Sequence, residues 1–399
     1  MFSKKFFKNL ISIIIILVFT TALSFTAFAT GDFDASSSFG EISAKAAFAV
    51  DLTTGEILYS YNADTPLPPA STTKMLTTLL VLEAVERGEV SLDDDVLVTN
   101  YAISTLPVDA SRMRTPLVAG EYMSLRNLLY ANMISSDCYA SNVLGAYICG
   151  SVSEFVDLMN KRAAELGCED TNYTNPSGYP NYNMYTTARA LYLVAAECLK
   201  YDLFRETVEI AEYTIPATNL NPSRELYSTN MLLHKYTDEE NPEENPYYYE
   251  YVKGVKTGYS KSSGYCLVSL AEKDGHEILA VVLGCMSSHD QFTESIRIFD
   301  HYYNYISKRE ANIKFFRDIF TSKKSIIQNN SENAKNTREI VIAEDIEIRT
   351  RFEAKHQAEL NNRMQFIYLS SCICILLLVL FIIITIVRKI IRRKSKIYK

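Results

Sequence analysis

The chain has 399 residues, 48% of them apolar and 22% charged, with only 14 Gly and 11 Pro. That composition excludes a disordered tract, a collagen-like rod and a solenoid array, and the length suits one large domain or two smaller ones. The formal charge of −7 is unevenly spread: residues 30–387 carry 30 basic against 47 acidic residues, which argues against nucleic acid as a partner.

Taken in chain order, residues 1–29 open with Lys4, Lys5 and Lys8, continue as an apolar run, and end in Ala27-Phe28-Ala29. This is the pattern of a secretory signal with an A-x-A cleavage site. An apolar run at 46–51, a Thr53-Thr54-Gly55 turn and an alternating stretch at 56–60 predict a β-hairpin. Pro66, Pro68 and Pro69 hold the chain extended before Ser71. Met75, Leu79, Leu82 and Val85 then recur at helical spacing, so a helix is predicted over 71–87, closed by Gly88. Further helices are predicted over 125–147, with a break near Ser136, and over 153–166 and 186–200.

Residues 237–246 form an acidic, proline-marked loop. Three short strand-like runs follow at 252–259, 265–271 and 278–283, and two short turns between them imply an antiparallel meander. A last amphipathic helix is predicted over 291–305. The whole reads as an α/β chain of the α+β kind: an antiparallel sheet with helices packed on its faces. Residues 308–365 are highly charged, with a short strand-like segment at 340–350, and suit a stalk or reduced β module. Residues 366–387 are uncharged and long enough to span a bilayer as a helix. The twelve residues after it hold seven Lys or Arg and no acid, which places that end in the cytoplasm and residues 30–365 outside the cell.

Eight cysteines show no C-x-x-C or C-x-x-H spacing, so no zinc site is expected, and no other metal or cofactor is implied. Most are expected to be small buried hydrophobes. The histidines form no catalytic arrangement, and His234, His276 and His289 are expected at the surface.

Three motifs carry the chemistry: Ser71-Thr72-Thr73-Lys74, Ser136-Asp137-Cys138 and Lys256-Thr257-Gly258. Positions i and i+3 of a helix share a face, so Lys74 can reach the Ser71 hydroxyl. A hydroxyl beside an amine base is an activated nucleophile. Motifs of this type in this order occur in penicillin-binding proteins and class A β-lactamases.

The chain resembles the low-molecular-weight penicillin-binding proteins of the D-alanyl-D-alanine carboxypeptidase type, serine peptidases of family S11. Besides the three motifs, the resemblance rests on Ala49-Val50-Asp51, Pro69-Ala70 before Ser71, Ser111-Arg112-Met113, Gly120-Glu121, Asn175-Pro176-Ser177-Gly178, and Gly254-Val255 before Lys256. It implies a β-lactamase/transpeptidase-like three-layer sandwich over residues 30–307. By the resemblance, Ser71 is the nucleophile, Lys74 its base, and Ser136 a relay to the leaving nitrogen. Lys256 and Thr257 hold a terminal carboxylate, Gly258 admits the substrate, and the N–H groups of Ser71 and Tyr259 form the oxyanion hole. The implied substrate is a peptidoglycan stem peptide ending in D-Ala-D-Ala, with β-lactams as covalent inhibitors. The family's second motif is usually Ser-x-Asn, so Cys138 departs from it at a substrate-orienting position. That departure keeps a transpeptidase in view, and a non-catalytic β-lactam- or muropeptide-binding protein is the rival of another class. A β-lactamase would need a carboxylate to activate its deacylating water, for which Glu165 and Glu169 lie at suitable distances in sequence.

Overall fold

The computed structural model describes residues 39–236 and 244–329. The chain divides into two compact units, residues 1–307 and residues 308–399. In the first, strands β1 (Ala46–Asp51) and β2 (Glu56–Tyr61) form the predicted hairpin. Strands β7 (Val252–Ser260), β8 (Gly264–Lys273) and β9 (His276–Cys285) form the predicted meander. They join in one antiparallel sheet of order β2-β1-β9-β8-β7, through pairing of β1 with β9. β7 is therefore an edge strand, with one row of backbone groups open to another partner.

Both faces of this sheet are covered. Phe48 and Val50 of β1 join the larger core, while Ala47 and Ala49 join the second. Successive side chains point to opposite faces, so every residue of β1 is buried although the strand alternates. The larger core packs helices against the sheet. Helix α1 (Lys74–Glu86) contributes Met75, Leu76, Leu79 and Leu80. It is buried on nearly all sides from Lys74 to Leu82, as a helix apolar all round must be. The second core forms under helix α8 (Ser288–Asn329), whose Ile298, Phe299 and Tyr302 meet Leu267 and Val282.

The remaining elements complete the first unit and include the helical wall that faces β7 across the cleft. They are β3 (Asp95–Leu97), α2 (Asn100–Ser104), β4 (Tyr122–Ser124), α3 (Leu125–Met133), α4 (Cys138–Cys149) and α5 (Val152–Glu165). Then come α6 (Ala188–Cys198), α7 (Asp202–Glu209), β5 (Glu212–Ile215) and β6 (Arg224–Tyr227). A buried ion pair, Arg224 to Glu121 at 2.6 Å, ties β6 to the segment before the second motif.

Several expectations need correction. Ser71 does not open an α-helix: Ala70–Thr73 is a 3₁₀ turn, and the α-helix starts at Lys74. Two small β-ribbons and helices α2 and α7 were not predicted, being too short to show a period. The last helix runs to Asn329, so the segment from 308 begins as helix. His276 is buried, its Nδ1 2.8 Å from Asp51 Oδ2. Burial alone would raise the Asp51 pKa, but hydrogen bonds from His276, Thr54 and Thr53 hold it below the usual carboxylate range. Cys138, Cys168, Cys198, Cys266 and Cys285 are buried free thiols. Among the described residues no helix is long and apolar enough to cross a membrane. The segments expected as signal, strand-like module, membrane span and basic tail (residues 1–29, 340–350, 366–387 and 388–399) lie outside the described residues.

Candidate active site

Between the edge of β7 and the helical wall runs a cleft of about 950 Å³. Ser71, Ser136, Cys138, Thr257, Gly258 and Tyr259 all line it. The three motifs, up to 185 residues apart in sequence, meet here because the 3₁₀ turn, the α3–α4 break and β7 converge.

Lys74 forms the floor. It is 0% exposed, and its Nζ lies 3.0 Å from Ser71 Oγ. The same nitrogen donates to the Ser177 carbonyl at 2.6 Å and reaches Cys138 Sγ at 3.5 Å. Hydroxyl, carbonyl and thiol together take up the three donors of an ammonium.

Ser136 sits at the break between α3 and α4 with φ +59°, a left-handed conformation uncommon for serine. It lines the cleft but forms no hydrogen bond to Lys74 among the described residues. The contact from this loop to Lys74 comes from Cys138 instead. Asp137, between them, is buried: it caps α4 through the Ala140 N–H at 2.8 Å and takes the Met113 N–H at 2.7 Å. Burial pushes its pKa up, against those two N–H groups and the Lys74 charge.

β7 presses directly on the nucleophile turn. A Cβ on Gly258 would lie 3.0 Å from the Ser71 nitrogen and 3.2 Å from the Pro69 carbonyl oxygen. Only a residue without a side chain allows that approach easily. Lys256, 1% exposed, donates to the Thr257 carbonyl at 3.2 Å. Burial, reinforced by the charge on Lys74, drives its pKa well below that of an ordinary lysine. The Thr257 hydroxyl bonds that of Thr229, and the exposed Tyr259 ring stacks on Tyr265 with centroids 4.3 Å apart.

Four residues of this site carry no role in the sequence analysis: Ser177 and Gly178, which enter there only through the resemblance, and Tyr179 and Thr229, which do not enter at all. Gly178 has φ +78°, and a Cβ there would fall 1.8 Å from the Ala70 carbonyl oxygen. The Asn175-Pro176-Ser177-Gly178 loop is thus wedged against the nucleophile turn, with Thr77 Oγ1 donating to the Pro176 carbonyl at 2.7 Å. Its N-P and S-G dipeptides were the available signal. Glu165 and Glu169 are exposed and lie outside the cleft lining. That sets both glutamates of the class A β-lactamase reading outside the cleft.

The family model described as D-alanyl-D-alanine carboxypeptidase, peptidase S11, matches residues 32–287. The chain belongs to this family. Among S11 relatives, D-alanyl-D-alanine carboxypeptidase DacF of Bacillus subtilis is 31% identical over 293 residues, covering 73% of this chain and 70% of the relative. The D-alanyl-D-alanine carboxypeptidase of Streptomyces sp. strain K15 is 28% identical over 274 residues, covering 65% of this chain and 87% of that one. The crystal structure of the Streptomyces K15 DD-transpeptidase superposes with a TM-score of 0.58 at 28% identity, covering 66% of this S11 chain and 98% of that structure.

Proposed function

We propose that the chain is a serine-type D-Ala-D-Ala carboxypeptidase that trims the terminal D-Ala from peptidoglycan stem peptides. The observation that carries this reading is the 3.0 Å contact between Lys74 Nζ and Ser71 Oγ, buried at the base of an open cleft. Neutral Lys74 takes the Ser71 proton while Oγ attacks the carbonyl of the penultimate residue. Charge developing on the carbonyl oxygen is met by the N–H groups of Ser71 and Tyr259. The leaving amine takes a proton, D-Ala departs, and water then resolves the acyl-enzyme. Ser136 faces the leaving group from the cleft wall.

Lys256 recognises the terminal carboxylate. In the free protein burial beside Lys74 disfavours the charged form of Lys256, and an incoming carboxylate favours it. The apolar span at 366–387 and the basic residues behind it would tether the domain, residues 30–307, to the outer face of the cell membrane, with residues 308–365 as spacer.

The test is to incubate the full chain with a peptide ending in D-Ala-D-Ala and identify products by mass spectrometry, beside Ser71→Ala. Loss of one D-Ala, absent from the variant, is expected; an intact peptide with the unaltered chain would refute the reading. Because Lys256 loses its proton at lower pH than a free lysine, kcat/KM should fall on an alkaline limb below the ordinary lysine value of about 10.4. In Lys256→Arg, where the cation persists, that limb should vanish even if overall activity drops; an unchanged limb would detach it from Lys256.

A second reading, a DD-transpeptidase of the same fold, is favoured by Cys138 and by the likeness to the K15 DD-transpeptidase. A thiol is a weak partner for a substrate amide. Cys138→Asn should therefore raise kcat/KM for peptide hydrolysis about fivefold, the equivalent of one net hydrogen bond. An amine acceptor added to the assay separates the two readings: an adduct that outweighs the hydrolysis product would make transpeptidation the main reaction.

A further inference from the structure

Gln291, in the first turn of α8, lines the cleft and is only 5% exposed. Its Oε1 is buried and has no hydrogen-bond partner. A buried acceptor left unpaired destabilises the fold, and in a binding cleft it marks the place of a donor on the ligand. The pairing of strands shows which part of the cleft this is. Thr257 stands opposite Leu267, and Tyr259 opposite Tyr265, so these four side chains share one face of the sheet. Leu267 and Tyr265 belong to the second core, the one under α8. Gln291 therefore stands on the Thr257 side of β7, and both side chains open into the cleft.

The groups around Thr257 are neutral. Its hydroxyl bonds that of Thr229, and Ser260 follows on the same strand. Among the described residues that line the cleft, the only cation is Lys261, in the turn after β7. Lys256 is 1% exposed and is not in the lining; its Nζ bonds the Thr257 carbonyl at 3.2 Å. The charge that favours a carboxylate thus acts from behind the lining, while the groups that touch the ligand are hydroxyls and an amide. A carboxylate brings acceptors alone, so it leaves Gln291 Oε1 unpaired. A carboxamide has the same planar shape and brings both functions. Its oxygen accepts from a threonine hydroxyl, and its NH2 donates to Gln291 Oε1.

We infer that Gln291 makes the pocket beside Thr257 a site for a terminal carboxamide, so that the chain cleaves peptides ending in D-Ala-D-Ala carboxamide as well as the free acid. This rests on the carboxypeptidase reading and adds a second substrate class to its site. The bonds made and broken are the same. Ser71 Oγ forms the ester to the penultimate residue, the terminal peptide bond breaks, and the leaving amine takes the proton. The product is D-alaninamide in place of D-Ala, and water resolves the same acyl-enzyme.

The experiment gives the full chain two peptides that differ only in a terminal carboxylate or carboxamide, and follows the products by mass spectrometry. Both should be cut at the same bond, with kcat/KM values within about tenfold of each other, the difference between a hydrogen bond to a charged group and a neutral one. Gln291→Met keeps the length of the side chain and loses the acceptor. It should lower the carboxamide-to-carboxylate ratio about fivefold, the worth of one net hydrogen bond. Gln291→Arg puts a cation there and should lower the ratio further. Because both peptides meet the same preparation, a folding defect lowers both rates and leaves the ratio alone. An uncut carboxamide beside a cleaved carboxylate, or a ratio unmoved in both variants, would overturn the proposal. If neither peptide is cut, the carboxypeptidase reading falls. Calorimetry of the two peptides with Ser71→Ala, with and without Gln291→Met, then decides the role of Gln291: a fivefold shift in the affinity ratio upholds it, and an unmoved ratio overturns it.

Discussion

Ser71→Ala is expected to abolish turnover, with kcat/KM lower by about four orders of magnitude or more, and Lys74→Ala should do nearly as much. The two side chains form one unit: a hydroxyl whose proton has a single buried amine 3.0 Å away. Removing either removes the acyl-enzyme step, so the double variant should be scarcely slower than the worse single one. Stability separates the two positions. Ser71 is partly exposed on a turn, and its truncation leaves the core intact. Lys74 is fully buried, and its loss leaves the Ser177 carbonyl without its donor, a loss of about 1–3 kcal/mol. Thermal unfolding of the two variants checks this: Ser71→Ala should melt near the unaltered chain and Lys74→Ala below it. Equal melting temperatures, or a double variant slower by the product of the two effects, would show that the residues act independently.

Gly178→Ala is expected to damage the site as severely by a purely steric route. The added Cβ would sit 1.8 Å from the Ala70 carbonyl oxygen, a backbone atom that cannot swing aside. Its positive φ adds strain for any residue with a side chain. Ala70 itself already has φ +48°, so the turn has little freedom to retreat. The substitution should destabilise the fold by about 2–4 kcal/mol. Because the displaced turn carries Ser71, a shift of about 1 Å should also lower kcat/KM about a hundredfold. A control at Gly88, where a Cβ meets nothing within 4 Å, should leave kcat/KM unchanged. Rates of β-lactam acylation and a melting curve for both variants test the pair; a fully active Gly178→Ala would show that the loop yields.

The sequence made the sheet and the reactive side chains legible, because both leave local signatures. An apolar run marked β1 and alternation marked β2, and turn residues set off β7, β8 and β9; S-x-x-K placed an amine beside a hydroxyl. What stayed hidden depends on backbone atoms and distant pairings. The Ser177 carbonyl that anchors Lys74 lies 103 residues from it, and any residue type supplies a carbonyl. His276 fits a surface residue after a turn, yet its partner Asp51 lies 225 positions away, across the β1–β9 pairing. The 3₁₀ turn at Ala70–Thr73 escaped prediction because its hydroxyl-rich residues fit a helix start equally well. Cys138 was read as a weakened substrate contact. Its nearness to Lys74 follows from the α3–α4 break, where a left-handed Ser136 lines the cleft without bonding Lys74 and the next residues bring the thiol to the amine. The family resemblance named the Asn175–Gly178 stretch, but only the packing of Gly178 against Ala70 shows why it belongs to the site.

The most direct measurement is to trap the acyl-enzyme. The full chain is mixed with benzylpenicillin, digested, and the modified peptide located by mass spectrometry. A single adduct on Ser71, lost in Ser71→Ala and strongly slowed in Lys74→Ala, is the predicted result. An adduct on another residue, or none at all, would contradict a Ser71 nucleophile activated by Lys74.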